Sequence, residues 1–361
     1  MHADRSQRRW ILRLIGRLGF AETITLGLGL LLLILPLIPG KYVVVVGAEI
    51  IILGLFAMSF NLLYGYMGEI SFGHAAFFGL GAYTTALLMR FFQAGGGEVG
   101  YGQFLLAILM AVPVSALGSL LVGYFCVRLT GIYFAMLSLA FGELFFYIVF
   151  SWYSFTKGDD GIQGLLPPPF FRDVTQYYYF SLLVVAIAMG TLWWITNSPF
   201  GYSLRMLREN KNRAAFLGIN VRTCMLVNFV IAGAFAGLAG ALWGPFQRSV
   251  SPHLLSCMNS GTAVFMTLIG GAKYFCGPVL GSMIYTALNG YITLYTVYWP
   301  LTIGLIILLV VLFMPGGILS VVDQWLRRAQ THRNASAAEV AEDPKKGGGA
   351  SWPSGFSKSA G

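Results

Sequence analysis

The chain has 361 residues, of which 57% are hydrophobic and 10% charged, with a mean hydropathy of +0.73. A soluble globular domain is excluded, because its exterior needs far more polar cover. The net charge of +9 does not point to nucleic acid, since no basic patch is interleaved with aromatics. Cys126, Cys224, Cys257 and Cys276 are scattered without CxxC spacing or a nearby His pair, so neither a disulfide framework nor a metal site is expected. The composition is that of an all-α integral membrane protein, with 28 Phe, 18 Tyr and 8 Trp for lipid-facing surfaces and interfacial belts.

Residues 1–22 carry Arg5, Arg8, Arg9, Arg13 and Arg17 and read as a retained basic cytoplasmic segment, with no small-residue cleavage site after them. Apolar runs of about twenty residues then predict ten transmembrane helices at 23–39, 43–63, 70–91, 103–127, 131–154, 178–197, 223–244, 258–272, 277–296 and 299–320. They make up a transmembrane domain over 23–320. The tail over 329–361, rich in Ala, Gly, Ser and Lys, cannot bury a core and is expected to be disordered.

From a cytoplasmic start, fifteen basic residues fall inside: the five N-terminal arginines, Arg128, Arg205, Arg208, Lys211, Arg213, Arg222, Lys273, Arg327, Arg328 and Arg333. Five fall outside: Lys41, Arg90, Lys157, Arg172 and Arg248. This positive-inside bias predicts both termini in the cytoplasm. Ten spans also divide into a 5+5 inverted repeat that matches the third span to the eighth. Both are rich in Gly and small polar residues, and interrupted segments at matching positions point to a transport site.

The third span overlaps the glycine-rich stretch that runs from Gly65 to Tyr83. Glycine disfavours a helix by about 1 kcal/mol relative to alanine, a cost tolerated in membranes where backbones pack closely or line a cavity. Ser71, Gly73, His74, Gly79 and Tyr83 are therefore candidates for a substrate pathway, together with Glu49 in the second span and Asn259 and Thr262 in the eighth. Each has a plainer reading. Glu49 could be a hydrogen-bonded structural carboxyl, His74 could bond a neighbouring carbonyl, Glu143 could bond across a helix contact, and Glu69 is expected solvated at the cytoplasmic mouth. No catalytic constellation, cofactor site or Gly-x4-Gly-Lys-Ser/Thr loop is present in the sequence, so neither enzyme chemistry nor ATP binding by this chain is expected.

The longest basic interior loop runs from Asn197 to Asn220. Ser198 and Pro199 suit the start of a helix. Leu204, Leu207, Ala214 and Leu217 draw one apolar face, and Gly218 supplies a stop. A basic loop of this kind can touch lipid headgroups. Glu209, Asn210 and Asn212 among Arg205, Arg208, Lys211 and Arg213 instead favour a short helix over 200–218 docked in a partner's cleft.

Three stretches resemble one family: Gly68 to Tyr83, Thr130 to Ala140, and Ser198-Pro-Phe-Gly-Tyr with Arg208-Glu-Asn and Ala214-Ala-Phe-Leu-Gly-Ile-Asn220. Leu268-Ile-Gly-Gly271, Gly277-Pro-Val-Leu-Gly281 and Phe313-Met-Pro-Gly-Gly-Ile318 extend the likeness over roughly residues 40–325. The chain resembles the LivM-type permease subunit of branched-chain amino acid ABC importers. That resemblance implies a bacterial inner-membrane, multi-pass permease that pairs with a second, related permease. It also implies two cytosolic ATPase subunits that bind the ATP, and a periplasmic substrate-binding protein. The coupling helix maps onto 200–218, with Leu204, Leu207, Arg208, Glu209, Asn210, Arg213, Ala214, Leu217 and Gly218 at the ATPase contact. Glu69 stands where the family usually has Gln, and Thr156-Lys-Gly-Asp-Asp-Gly161 replaces its external motif, which leaves a urea or amide importer as an alternative substrate class. From another class, an ion-coupled secondary transporter would use Glu49 and Glu143 as proton carriers.

Overall fold

The computed structural model describes residues 20–37, 40–94, 98–295, 297–314, 316–321, 323 and 325. Residues 1–19 of the basic segment and the whole of the 329–361 tail lie outside them. Contacts divide the chain after Leu319, and the helical unit before that point is the subject below.

Each of the ten predicted runs holds one helix. In chain order these are α1 (Phe20–Ile34), α2 (Lys41–Asn61), α3 (His74–Ala94), α4 (Tyr101–Cys126), α5 (Ile132–Ser151) and α6 (Val174–Thr196). Two short helices, α7 (Pro199–Glu209) and α8 (Lys211–Phe216), fill the basic loop. Then come α9 (Val221–Gln247), α10 (Cys257–Gly270), α11 (Gly277–Tyr295) and α12 (Trp299–Phe313). Among the described residues seven helical segments are long and apolar enough to cross a membrane. They are α2 with its continuation to Met67, α3, α4, α5, α6, α9 and the segment from Pro300 that contains α12. The protein is a multi-pass membrane protein.

The centre is built from α2, α3, α4 and α9, and small residues explain why. A Cβ at Gly240 would lie 1.8 Å from the Phe78 carbonyl oxygen, and one at Gly81 would lie 1.9 Å from that of Gly237. On the other side of α9, a Cβ at Gly237 would meet Ser115 Oγ at 2.1 Å. Lipid offers helices no hydrophobic reason to associate, so close backbone approach and interhelical hydrogen bonds must supply it. The hydroxyls do so: Ser115 donates to the Phe77 carbonyl at 3.2 Å, Ser282 to Ile50 at 3.0 Å and Tyr177 to Leu242 at 2.6 Å. Asn228, fully buried, donates its Nδ2–H to the Leu62 carbonyl at 2.9 Å. By contrast α5 buries only Phe134, Ser138, Gly142 and Val149. It turns Tyr133, Met136, Leu144 and Tyr147 outward.

Two expected boundaries move. The third run begins as a helix at His74 rather than at 70, because α2 runs on as a π-helix over Leu62–Met67 and ends at Gly68 with φ +82°. That left-handed turn, which glycine adopts without a Cβ penalty, leaves Glu69, Ser71 and Gly73 in non-helical backbone. The expected single helix over 200–218 is broken at Asn210, whose φ of −161° is extended and whose Oδ1 accepts the Arg213 N–H at 3.0 Å. At the opposite end of the bundle, β1 (Ile162–Gln163) pairs antiparallel with β2 (Ser249–Val250), placing Ile162 opposite Val250.

Candidate functional site

Past β2 the chain does not return along the surface. Pro252–Leu255 forms a 3₁₀ turn, and Leu255 is fully buried against Gly79, where a Cβ would lie 2.3 Å from Leu255 Cγ. Two further bonds fix the start of α10. The Cys257 N–H donates to Glu143 Oε1 on α5 at 3.3 Å, and Ser260 Oγ accepts the Ala75 N–H of α3 at 2.9 Å. Gly79 and Glu143 both lie inside their helices, so the irregular stretch 251–256 dips between α3 and α5 before α10 begins. Non-helical backbone at such depth is tolerated where protein buries it or a cavity is lined. Asn259 Nδ2 donates to the Leu254 carbonyl at 2.9 Å and Thr262 Oγ1 to the Asn259 carbonyl at 2.7 Å, which stiffens the turn. One face of α10 stays uncovered: Met258 is 84% exposed, and a Cβ at Gly261 would meet nothing within 4 Å.

The first turns of α3 carry most of the other pathway candidates. His74 is fully buried, its Nε2 2.9 Å from Ser59 Oγ. Ser59 spends its only proton on the Phe56 carbonyl at 2.7 Å; it must therefore accept from His74, which places the imidazole proton on Nε2. Rings of Phe56, Phe60 and Phe77 surround the imidazole at 5.6, 5.7 and 6.0 Å. His74 Nδ1, Ser71 Oγ and the Tyr83 hydroxyl are buried and have no hydrogen-bond partner among the described residues. Gly73 is pressed on α5, where a Cβ would lie 1.9 Å from the Ser138 carbonyl oxygen.

The structure thus brings Ser71, Gly73, His74 and Gly79 together with Asn259 and Thr262 around the α3–α5–α10 junction. Gly73 and Gly79 are in packing contact rather than beside an open channel. Glu49 does not join this group; it lies on α2, with Gln247 Nε2 3.3 Å from its Oε1. A cavity of about 530 Å³ is found elsewhere, between α1, α2, α6 and α11, and its wall includes Leu32, Ile51, Val185, Trp193 and Val279.

The basic end of the bundle differs more from expectation. Leu204, Leu207 and Ala214 are buried within the chain at 0%, 1% and 1% exposure, so they fasten α7 and α8 to the permease's own helices and are not available to a partner. Leu217 is 73% exposed and its neighbour Phe216 91%. Arg208, Glu209, Asn210, Arg213 and Gly218 are exposed as well. Arg205 donates to the Thr196 carbonyl at 3.2 Å and lies over the rings of Tyr66 and Tyr202. Glu69, expected in solvent, is 3% exposed and forms an ion pair with Lys211. The pairing of residues 142 positions apart, the insertion of Leu255 and the exposure of Phe216 left no signal in residue spacing; Glu69 alone, as an acid beside an apolar run, marked its own position.

The family described as branched-chain amino acid transport system / permease component matches residues 43–314. The permease protein LivM of the high-affinity branched-chain amino acid transport system of Escherichia coli (strain K12) is 26% identical over 296 residues, covering 74% of this chain and 67% of LivM. LivH of the same organism is 28% identical over 286 residues, covering 73% and 90%. A guanosine ABC transporter permease protein, NupP of Bacillus subtilis (strain 168), is 35% identical over 82 residues, covering 22% and 24%. No solved structure matches. With three quarters of its length matched, from α2 through α12, the chain belongs to the family of permease components of branched-chain amino acid transport systems.

Proposed function

We propose that this chain is the membrane-spanning subunit of an ATP-driven importer for branched-chain or related small amino acids. Its partners are a second, related permease, two cytosolic ATPase subunits that bind the ATP, and a periplasmic binding protein that delivers the substrate. LivM and LivH are both relatives of this chain, which supports pairing between two permeases of this kind. The chain itself performs no chemistry. In this reading α1, α10 and α11 complete ten spans in a bacterial inner membrane, with both termini and the α7–α8 loop in the cytoplasm. The α3 and α10 breaks correspond in a 5+5 inverted repeat. Substrate passes along the α3–α5–α10 junction, where Met258, Asn259 and Thr262 present the open face of α10 and the buried Ser71 Oγ and His74 Nδ1 have no hydrogen-bond partner among the described residues; Tyr83 follows farther along α3.

The observation that carries the coupling assignment is the α7–α8 hairpin. Its inward leucines anchor it, while Phe216 and Leu217 stand uncovered beside Arg213. Exposed aromatic and apolar side chains of this kind are what a partner's cleft buries. Phe216→Asp with Leu217→Asp would place two carboxylates in that contact. The variant permease should be made and inserted normally, yet no longer carry the ATPases through purification, and uptake should be lost. ATPases that stay bound with full uptake would overturn the assignment.

A further inference from the structure

We propose that Glu69 and Lys211 form a latch that carries movement of the α7–α8 hairpin into α3 and α5. The proposal rests on the reading of that hairpin as the ATPase contact and assigns the residue pair through which it acts. Glu69 sits in the turn between α2 and α3, 3% exposed, and its carboxylate is shared between two elements. Oε2 accepts the N–H of Gly131, the residue that precedes α5, at 2.9 Å, and Oε1 holds the Lys211 ammonium at the first position of α8. One turn earlier on the hairpin, the Arg208 guanidinium donates to the Gly65 carbonyl in the π-helical end of α2. The Arg208 stem also lies on the left-handed turn, 2.9 Å from where a Cβ of Gly68 would be.

The arrangement has a mechanical consequence. The Asn210 side chain caps α8 and so sets the position of Lys211, and α7 and α8 pack on one another. Four residues separate Glu69 from His74, and Gly73 among them is wedged against Ser138 and Gly142 of α5. A shift of the hairpin therefore reaches the starts of α3 and α5 together, through one carboxylate. A buried ion pair of this sort is weak evidence for stability, since desolvation offsets its attraction, but it does fix which groups move together. Loss of either partner leaves the other without its counter-charge and cuts the link between the hairpin and the Gly131 amide, so that Arg208 alone ties the hairpin to the turn.

The test uses the whole complex, purified with its ATPases, reconstituted in liposomes with its binding protein and supplied with leucine as the probe. Uptake per ATP hydrolysed is measured for Lys211→Met, Glu69→Gln, the double variant and Lys211→Arg. Each of the first two should lower that ratio about tenfold, within the 5- to 150-fold span usual for coupled sites, with ATPases still bound and ATP still turned over. The double variant should be no worse than the poorer single, and Lys211→Arg should keep most of the ratio. A normal ratio in Lys211→Met would overturn the latch, as would multiplying losses in the double variant or loss of the bound ATPases. Should a single variant fail to fold because it leaves its partner charge unpaired, the double variant decides, since it leaves no charge at the site and should show the same loss. The two proposals fail differently: with a wrong hairpin assignment the Phe216 and Leu217 variant keeps its ATPases, whereas with only the latch wrong it loses them and Lys211→Met stays coupled.

Discussion

Gly81→Ala tests whether backbone contact between α3 and α9 holds the centre of the bundle together. The added Cβ would lie 1.9 Å from the Gly237 carbonyl oxygen and 2.6 Å from the carbonyl carbon and Cα of the same residue, where ordinary contact begins at 3.4 Å. All three atoms are main chain, so no side chain can swing aside. The helices must part or slide, and the Ser115 bond to the Phe77 carbonyl lies within the same packing layer. Overpacking of a filled interior costs about 1–3 kcal/mol, and a clash confined to backbone belongs at the upper end. Against this, alanine regains roughly 1 kcal/mol of helix propensity over glycine. The net expectation is a loss of about 2 kcal/mol, read as a fall of several degrees in the unfolding temperature of the detergent-purified protein. Gly190→Ala in α6 is the control, since its Cβ would meet nothing within 4 Å, and it should unfold at or slightly above the wild-type temperature. Gly79→Ala, which meets only the Leu255 side chain, should fall between the two. A Gly81→Ala protein as stable as the Gly190→Ala control would refute the reasoning.

Leu207→Asp puts a carboxylate into a site that is 1% exposed inside this chain; an unpaired buried charge costs several kcal/mol, so the amount of folded permease recovered from membranes should drop, and normal recovery would show that α7 packs elsewhere. Reporter fusions after Gln163 and after Asn210 should read opposite sides of the membrane, periplasmic and cytoplasmic respectively; both on one side would sink the ten-span topology.

Helix positions are legible because a membrane span announces itself by length and apolarity: all ten predicted runs hold a helix, and among the described residues seven helical segments are long and apolar enough to cross. α3 starts four residues later than the apolar pattern predicts: Ile70, Phe72 and the alanines after them are as apolar as a span, and only Gly68 in a left-handed turn marks the break. The α7–α8 loop shows a deeper limit. Periodicity at Leu204, Leu207, Ala214 and Leu217 shows that a face is apolar, but not whose surface covers it. Three of the four are covered by this chain, and Leu217, just past the end of α8, is not. The sequence puts Glu69 in solvent because its cation lies 142 positions along the chain and arrives only through the fold. The dip of 251–256 was legible in part. The eighth run was short and rich in small polar residues, but that Leu255 fills the space over Gly79 required coordinates.

The fastened points along α3 and α5 define how these two helices can move. At the basic end both are tied to one carboxylate, Glu69, in the turn that feeds α3 and through the Gly131 amide that precedes α5. Further along, both touch the entry to α10: α3 through the Ala75 amide on Ser260, and α5 through Glu143 on the Cys257 amide. Between these ties Gly73 and Gly142 meet backbone to backbone, a Cβ on Gly142 falling 2.7 Å from the Gly73 Cα. Contacts that tight do not deform gradually. The starts of α3 and α5 therefore behave as one unit, and relief of strain has to occur where the packing is softer. That place is the entry to α10, where single hydrogen bonds and the Leu255 side chain make the contact and one face of the helix has no cover. In the proposed latch, a displacement imposed at Glu69 would be expressed at Cys257 to Thr262, beside the exposed Met258 at the start of α10.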